Sequence, residues 1–170
     1  MARIQGSASN TAWIRAPGML RVARSRGVEA VLGVGEGDLP FRSDAFDYVL
    51  LIVALCFVDE PAVLQEAARV AKPGGALAAC IVARDNMWAA TTSGNAATLF
   101  YTVARLYTAR EIEAIMREAG LIVEAYSSVP RFPPWAELRA EEPEPTPKGG
   151  FACIKARRSQ PPFSRAASAR

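Results

Sequence analysis

The chain contains no histidine, and this absence removes several kinds of catalysis at once. Histidine is the side chain that ordinarily gains or loses a proton near neutral pH. Catalytic triads of the Ser-His-Asp kind and Cys-His pairs are therefore excluded. Cysteine is also scarce, and Cys56, Cys80 and Cys153 form no CxxC pair, so no metal site is expected. Because each lies in an apolar stretch, we predict buried thiols in a reducing compartment.

Long apolar runs are absent as well. The longest, residues 48–58, is too short for a membrane-spanning helix, which needs about 20 residues. No uninterrupted apolar segment of the kind found in signal peptides precedes Arg15. The chain of 170 residues has 51% hydrophobic and 22% charged residues, as in one soluble globular domain. We therefore predict a cytoplasmic protein without a membrane partner.

The net charge of +3 is too diffuse to indicate a nucleic-acid-binding surface. The basic residues fall into two groups rather than one stripe. One group lies on a predicted helix near the N-terminus and the other on residues 157–170, which contain few large apolar side chains. A solvated helix face and a disordered basic tail account for them, so nucleic acid is an unlikely partner.

The first half of the chain alternates between predicted strands and helices. Residues 1–18 are interpreted as an irregular N-terminal segment, although the helical pattern already begins at Pro17 and ends before Gly27. Short apolar runs predict strands over residues 28–34, 45–53 and 76–83. The second run has neither glycine nor proline, which is typical of a strand buried on both faces of a parallel sheet.

A capped helix joins the second and third of these strands. Asp59 is the predicted N-cap, and Glu60 and Pro61 suit the first turn. Val63, Ala67, Val70 and Ala71 recur at helical spacing, and the sequence Lys-Pro-Gly-Gly at residues 72–75 then predicts a turn. We expect a right-handed β-α-β crossover here.

The second half of the chain ends in two strands without a helix between them. Thr108 and Glu111 form a predicted capping box for a helix that ends at Gly120. Strands are predicted over residues 121–129 and 151–156, joined by a long proline- and glutamate-rich connection. This final pair should be antiparallel, because no crossover helix connects it. The predicted fold class is α/β, a Rossmann-like, mostly parallel sheet with an antiparallel last strand pair.

Several sequence blocks occur in an order known from one enzyme family. The best-spaced are Leu-Pro-Phe at residues 39–41, Phe-Val-Asp-Glu-Pro at 57–61 and Lys-Pro-Gly-Gly at 72–75. Together they resemble the class I S-adenosylmethionine-dependent methyltransferases of the type 11 methyltransferase domain family. The resemblance covers residues 19–158, implies a partial methyltransferase domain over 19–156, and implies S-adenosylmethionine as cofactor and methyl transfer to a small-molecule acceptor.

The pattern Gly-x-Gly-x-Gly at residues 33–37 looks like the glycine loop of this family, but its surroundings differ. A cofactor loop of that kind needs a helix directly after it, whose N-terminal amides face the ligand. Here a strand comes next, after Leu-Pro-Phe. We favour the interpretation that this run is the family's later, adenine-side segment. A displaced glycine loop and a plain turn are the alternatives.

The resemblance implies a set of site residues. Gly35, Glu36 and Gly37 would contact the adenine through backbone groups, and Leu51 and Ile52 would line the methionine side at the strand's carboxyl end. Acceptor contacts would come from Arg84, Asp85, Trp88, Tyr101 and Arg105, each of which can equally be a surface or packing residue. No catalytic residue is assigned, because the sulfonium is already activated and alignment supplies most of the rate. Asp47 is expected to have a structural role.

The sequence also departs from the family. Before Met19, the family has a strand, a glycine loop, a helix and a strand that ends in an acidic residue, whereas only 18 residues of different character precede Met19 here. Phe57 stands where many members have histidine. We therefore expect a fold that is N-terminally incomplete relative to the family.

The predicted strand over residues 45–53 would then have an open edge. Each hydrogen bond lost there would cost about 1 kcal/mol of stability. Residues 8–15 could fill the gap, a partner or a second copy could pair there, or the chain is a truncated version of a longer protein, which we favour. Two functions follow. One is a methyltransferase, and the other is a non-catalytic module that acts through a partner at the open edge.

Overall fold

The computed structural model describes residues 11–33, 37–87, 89, 103–130, 133, 135–137 and 139–160. The chain divides into two compact units, Met1–Pro40 and Phe41–Arg170, which are described separately. Within the described residues, no helix is both long enough and apolar enough to cross a membrane.

The first unit is a small strand-helix-strand motif. Strand β1 (Thr11–Ile14) pairs in parallel with β2 (Glu29–Leu32), and helix α1 (Pro17–Ser25) connects them. Gly27 ends the helix with a φ of 76°, in the left-handed region that glycine adopts freely. Gly33 lies so close to the Trp13 indole that a Cβ atom there would be 1.4 Å from its Nε1. Only glycine fits this position.

Strand β1 corrects the prediction that residues 1–18 are irregular. Its four residues are too few to show a clear alternation, and they become a strand because α1 returns the chain so that β2 can pair with them. Strand β1 does not cover the edge of the strand predicted over residues 45–53, since its only hydrogen-bonded neighbour among the described strands is β2.

The second unit contains a four-stranded sheet and two helices that pack against it. The chain runs through β3 (Phe46–Ile52), a 3₁₀ turn (Leu55–Phe57), α2 (Glu60–Val70), β4 (Ala71–Val82), α3 (Ala109–Glu118), β5 (Leu121–Val129) and β6 (Phe151–Arg158). The strand order is β3-β4-β6-β5. β3 and β4 are parallel, whereas β6 is antiparallel to both of its neighbours. Three strands therefore share one direction, which confirms the predicted α/β sheet and its antiparallel last pair.

Strand β6 extends beyond the predicted end at residue 156. Arg157 and Arg158, assigned from sequence to the disordered tail, belong to the strand and pair with β5. Arg158 also donates to the carbonyl of Arg69 at 3.1 Å and to that of Ala71. The guanidinium thereby ties β6 to the end of α2, so the basic character of these residues has a structural use. Residues 161–170 lie outside the described residues.

The helix caps are those that the sequence predicts. The Asp59 carboxylate accepts the Ala62 amide at 3.1 Å at the start of α2. Thr108 and Glu111 form the reciprocal capping box at the start of α3. Asp47 has the expected structural role, since both of its carboxylate oxygens accept from Lys72 Nζ, at 2.8 and 2.9 Å.

The core lies on one face of the sheet. The side chains of α2 and α3 pack against alternate residues of the strands, and the largest fully buried ones are Leu55, Leu64, Leu77, Ile112, Met116 and Ile154. The opposite side of β3 presents Tyr48, Leu50 and Ile52, which are 75%, 61% and 62% exposed. Among the described strands, β3 is also an edge of its sheet, as the sequence indicated.

A disulfide joins Cys80 to Cys153, so the prediction of buried free thiols is wrong for these two residues. They are separated by 73 positions in the chain but lie directly opposite each other on β4 and β6. The sequence could not show this, because the pairing exists only once β6 inserts beside β4. Cys56 is free. A reducing compartment remains a prediction that this disulfide does not support.

Thiol counting tests the disulfide. Denatured, unreduced protein should react with Ellman's reagent at one thiol per chain, Cys56, and reduced protein at all three. Cys56→Ser is the control, and it should show no reactive thiol before reduction. Three reactive thiols in the unreduced wild-type chain would contradict the pairing.

A buried carboxylate on α3 makes the stability depend on pH. Glu113 accepts from Tyr126 Oη, from Arg117 at 2.8 Å and from Arg110 at 2.8 Å. These hydrogen bonds, that of Tyr126 first, lower the pKa of Glu113 from 4.5 to about 2. Because the folded-state pKa lies below the unfolded one, the stabilisation is present above pH 4.5 and is lost as the pH falls toward 2.

Glu113→Gln should therefore lower the Tm at neutral pH, and its difference from wild type should shrink as the pH falls through this range. Thermal unfolding followed by circular dichroism at several pH values measures this. Glu118→Gln, at an exposed position of the same helix, is the matched control and should change the Tm little at any pH. A Glu113→Gln deficit that is constant with pH would refute the assignment.

Candidate functional site

A cleft opens to solvent at the carboxyl ends of β3 and β4. It has room for little more than one water molecule, about 10 Å³, and it is lined by Val53, Cys56, Ile81, Val82, Arg105, Leu106 and Tyr107. Ligands of open α/β sheets bind at this end of the strands. The space is too small to enclose a whole ligand, since such sites usually measure roughly 300–1,000 Å³.

The backbone at the first lining residue is strained. Val53 directly follows β3 and has a φ of 50°, a left-handed conformation that is rare for a β-branched residue. The Val53 amide donates to the Cys80 carbonyl at 2.8 Å, and the Cys56 thiol donates to the Val53 carbonyl at 3.6 Å. Burial raises the pKa of the Cys56 thiol, so it stays protonated at neutral pH. Strain of this kind tends to occur at ligand-binding positions.

Residues 105–107 form the wall opposite the strand ends. The Arg105 amide donates to the Cys56 carbonyl at 2.9 Å, and the Arg84 amide donates to the Tyr107 carbonyl at 2.9 Å. Tyr107 also forms a parallel bridge with Ala83, just beyond β4. The segment is thus fixed to the end of both parallel strands by backbone hydrogen bonds.

Three polar side chains meet beside the cleft. Glu60, in the first turn of α2, is only 7% exposed, and its Oε1 lies 3.7 Å from Arg105 Nη1. The Arg105 guanidinium also sits over the Tyr107 ring, 5.2 Å from its centroid. The buried carboxylate is thereby paired with a cation whose side chain is 76% exposed.

The hydroxyl of Tyr107 is buried and has no hydrogen-bond partner that meets the usual geometry among the described residues. The residue as a whole is 5% exposed. Burial and the nearby Glu60 carboxylate raise the pKa of Tyr107 to about 12. The hydroxyl is therefore neutral and able to donate.

Only some of the predicted acceptor residues lie near the cleft. Arg105 lines the cleft. Arg84 is engaged elsewhere, because its Nη2 lies 2.6 Å from Glu111 Oε1, and Asp85 is exposed in the turn that follows β4. Trp88 and Tyr101 lie outside the described residues. Sequence reasoning missed Tyr107 and Glu60, since a residue before a capping box and a first-turn glutamate both have ordinary structural explanations.

The predicted cofactor residues fall in different places. Gly35 and Glu36 lie outside the described residues, and Gly37 follows β2 in the first unit with a φ of 107°. In the second unit, Leu51 packs against the core beneath the helices, whereas Ile52 is exposed on the opposite face. Val53, one position further on, lines the cleft. The assignment of the five predicted residues to a cofactor stays a prediction.

Comparisons with known proteins agree with the fold. Residues 5–79 match the family described as a methyltransferase domain. Demethylmenaquinone methyltransferase of Corynebacterium glutamicum is 34% identical over 129 residues, which are 73% of this chain and 51% of that protein. An uncharacterised protein of Methanocaldococcus jannaschii is 32% identical over 104 residues, 60% of this chain and 50% of that protein. The chain spans about half the length of these curated relatives.

A solved structure extends the similarity to three dimensions. A crystallised S-adenosylmethionine-dependent methyltransferase of Thermotoga maritima superposes with a TM-score of 0.75 at 27% identity, covering 88% of this chain and 73% of that one. The fold is similar to that of S-adenosylmethionine-dependent methyltransferases. The match over residues 5–79 agrees with the family that the sequence resembles.

The connection between β1 and α1 fits a cofactor ribose poorly. It consists of Arg15 and Ala16, without an acidic side chain. Pro17 opens α1 and has no amide hydrogen to offer, and Ala16 makes no side-chain cap. An acidic side chain is the usual partner of the ribose hydroxyls, so this connection does not supply that contact.

The strain at Val53 can be tested by substitution. Val53→Asn should leave the free energy of unfolding unchanged or raise it by about 1 kcal/mol, because asparagine tolerates the left-handed conformation. Val49→Asn, on the same strand but packed against the core, is the matched control and should cost about 1–3 kcal/mol. Urea unfolding measures both. Equal destabilisation by the two substitutions would argue against strain at residue 53.

Proposed function

We propose that this chain supplies the acceptor-binding part of an S-adenosylmethionine-dependent methyltransferase that acts on a small molecule. One observation carries the proposal: the cleft at the strand ends combines the strained Val53 with a buried Tyr107 hydroxyl that has no hydrogen-bond partner among the described residues. Sites for small organic molecules place a few polar groups among apolar walls. The demethylmenaquinone methyltransferases among the relatives support a small acceptor.

The chemistry needed at this site is modest. Methyl transfer from an activated donor depends mainly on alignment of the acceptor, and a rigid cleft supplies it. The absence of histidine is compatible with that role. Catalysis by this chain requires that it bind S-adenosylmethionine. That requirement is the critical one, because the connection between β1 and α1 is a poor match for the cofactor.

A non-catalytic module is the alternative function. It is favoured by the edge position of β3 among the described strands and by the exposed Tyr48, Leu50 and Ile52 beside that edge. Such a module would act by self-association or by pairing with a partner protein there. We also propose that the chain is truncated, that it is cytoplasmic and that it has no nucleic-acid partner.

Cofactor binding and methyl transfer separate the two functions. We expect the purified chain to show heat on titration with S-adenosylmethionine at millimolar concentration, and to transfer labelled methyl groups to members of a panel of phenols and hydroquinones. The controls are heat-denatured protein and reactions without acceptor. Absence of both heat and a thermal shift at millimolar cofactor would refute the enzymatic proposal for this chain and leave the module.

Two glycines allow a matched test of the adenine-side prediction. Gly37 and Gly27 both have positive φ, 107° and 76°, so substitution by alanine strains the backbone at either position. Only Gly37→Ala should weaken S-adenosylmethionine binding in calorimetry, because only Gly37 belongs to the predicted adenine segment. Equal effects of the two substitutions would mean that Gly37 matters for folding alone.

A further inference from the structure

We infer that the Cys80–Cys153 disulfide is a reversible thiol–disulfide exchange site, and that its oxidation state controls how firmly the ends of β3 and β4 are held. The reaction partner is a small thiol of the glutathione kind. The inference goes beyond methyl transfer and does not depend on it, because it concerns other residues and another reaction.

The disulfide lies on the face of the sheet that α2 and α3 leave uncovered. Side chains alternate along a strand, and the residues next to both cysteines on β4 and β6 are buried against these helices. In the row of paired residues that crosses the sheet at this level, Ile52 of β3 lies beside Cys80 and Ser127 of β5 lies beside Cys153. Ile52 is 62% exposed, and Ser127 is exposed as well. A small reagent therefore has access to the disulfide from this side.

The two cysteines are not equally accessible. Cys80 is 8% exposed, whereas Cys153 is half-buried. The rate of exchange depends on which sulfur the attacking thiolate can reach. We therefore expect attack at Cys153 Sγ, with Cys80 as the leaving group.

The exchange takes place in two displacements. A thiolate RS⁻ forms a bond to Cys153 Sγ, the Cys80–Cys153 bond breaks, and Cys80 leaves as a thiolate that takes a proton from water. A second RS⁻ then attacks the small-thiol sulfur of the mixed disulfide and releases Cys153 as a thiolate. The net products are two protein thiols and one molecule of RSSR, and oxidation by RSSR runs the same displacements in reverse.

Reduction leaves the sheet assembled. Strands β4 and β6 are joined by a backbone ladder whose register runs from Ala76 opposite Arg157 to Val82 opposite Phe151. Both redox forms can therefore be folded, which a reversible site requires. If the chain is cytoplasmic, as proposed above, reversibility is expected, because disulfides in reducing compartments are usually transient and catalytic or redox-sensing.

Cys80 connects the disulfide to the ends of the parallel strands. Its carbonyl accepts the Val53 amide at 2.8 Å, and the next two residues, Ile81 and Val82, line the cleft. The disulfide restrains the Cys80 main chain from the β6 side, so it also restrains the acceptor of this hydrogen bond. We expect reduction to loosen the chain at Val53, where the left-handed backbone already costs stability.

Reduction of the folded chain tests the exchange site. The full chain is incubated in glutathione buffers of increasing ratio of thiol to disulfide, quenched with an alkylating reagent and analysed by mass spectrometry. Cys80 and Cys153 should lose and regain their disulfide faster than the chain unfolds, as measured by urea-jump kinetics extrapolated to the same buffer. Reduction no faster than unfolding, or a disulfide that oxidised glutathione does not re-form, would overturn the inference.

Two variants form a matched pair for the direction of attack. Both carry Cys56→Ser, and one adds Cys80→Ala whereas the other adds Cys153→Ala, so that a single thiol remains in each. In the folded chains, Ellman's reagent should react several times faster with Cys153 than with Cys80, and after denaturation at similar rates. Equal rates in the folded chains, or a faster reaction of Cys80, would contradict attack at Cys153.

Thermal unfolding and hydrogen exchange measure what the disulfide restrains. Reduction should lower the Tm by roughly 5–15 °C, because the disulfide closes a loop over a separation of 73 residues, and re-oxidation should restore it. The Val53 amide should exchange faster on reduction, by a larger factor than the Val63 amide in α2. Cys80→Ala, which lacks the disulfide, is the control and should show no response to reductant. An unchanged Tm, or equal acceleration at both amides, would refute control of the strand ends.

Discussion

The second unit depends on burial of one face of the β4–β6 pair. Leu77, Ala79 and Ile81 of β4 lie opposite Ala156, Ile154 and Ala152 of β6, and all six are buried against α2 and α3. Each large apolar side chain removed from water contributes about 1.5–3 kcal/mol. Small alanines let the helices approach closely, so the two long strands at the centre of the sheet become its rigid element.

The cleft is a consequence of this packing. β3 pairs with β4 so that its last residue, Ile52, lies beside Cys80, and residues 105–107 are hydrogen-bonded to Cys56 and Arg84, which follow the two strands. The left-handed backbone at Val53 costs stability. The Tyr107 hydroxyl, which has no hydrogen-bond partner among the described residues, also costs stability. Both occur at this cleft, and for that reason we regard it as a candidate functional site.

The two units differ in what they offer a ligand. In the second unit, the buried Glu60 carboxylate is paired with Arg105 beside the cleft. In the first unit, the β1–α1 connection of Arg15 and Ala16 has no acidic side chain. The likeness to the methyltransferase family thus follows from the sheet and its connections, whereas chemistry follows from particular side chains.

The sequence by itself determined the features that depend only on residues close together in the chain. The N-cap at Asp59 and the capping box at Thr108 act within one helical turn, and the missing crossover helix before residue 151 already required an antiparallel strand. The family resemblance followed from the order of such elements. The sequence also indicated an open edge at β3, which is an edge of its sheet among the described strands.

Only the tertiary structure decided which distant residues meet. Insertion of β6 beside β4 placed Cys153 opposite Cys80 and carried Arg157 and Arg158 into the sheet. The same folding brought Glu60 and Tyr107 to one cleft and turned Leu51 toward the core. These contacts join positions tens of residues apart, and side-chain direction at a strand end depends on register, which no local pattern encodes.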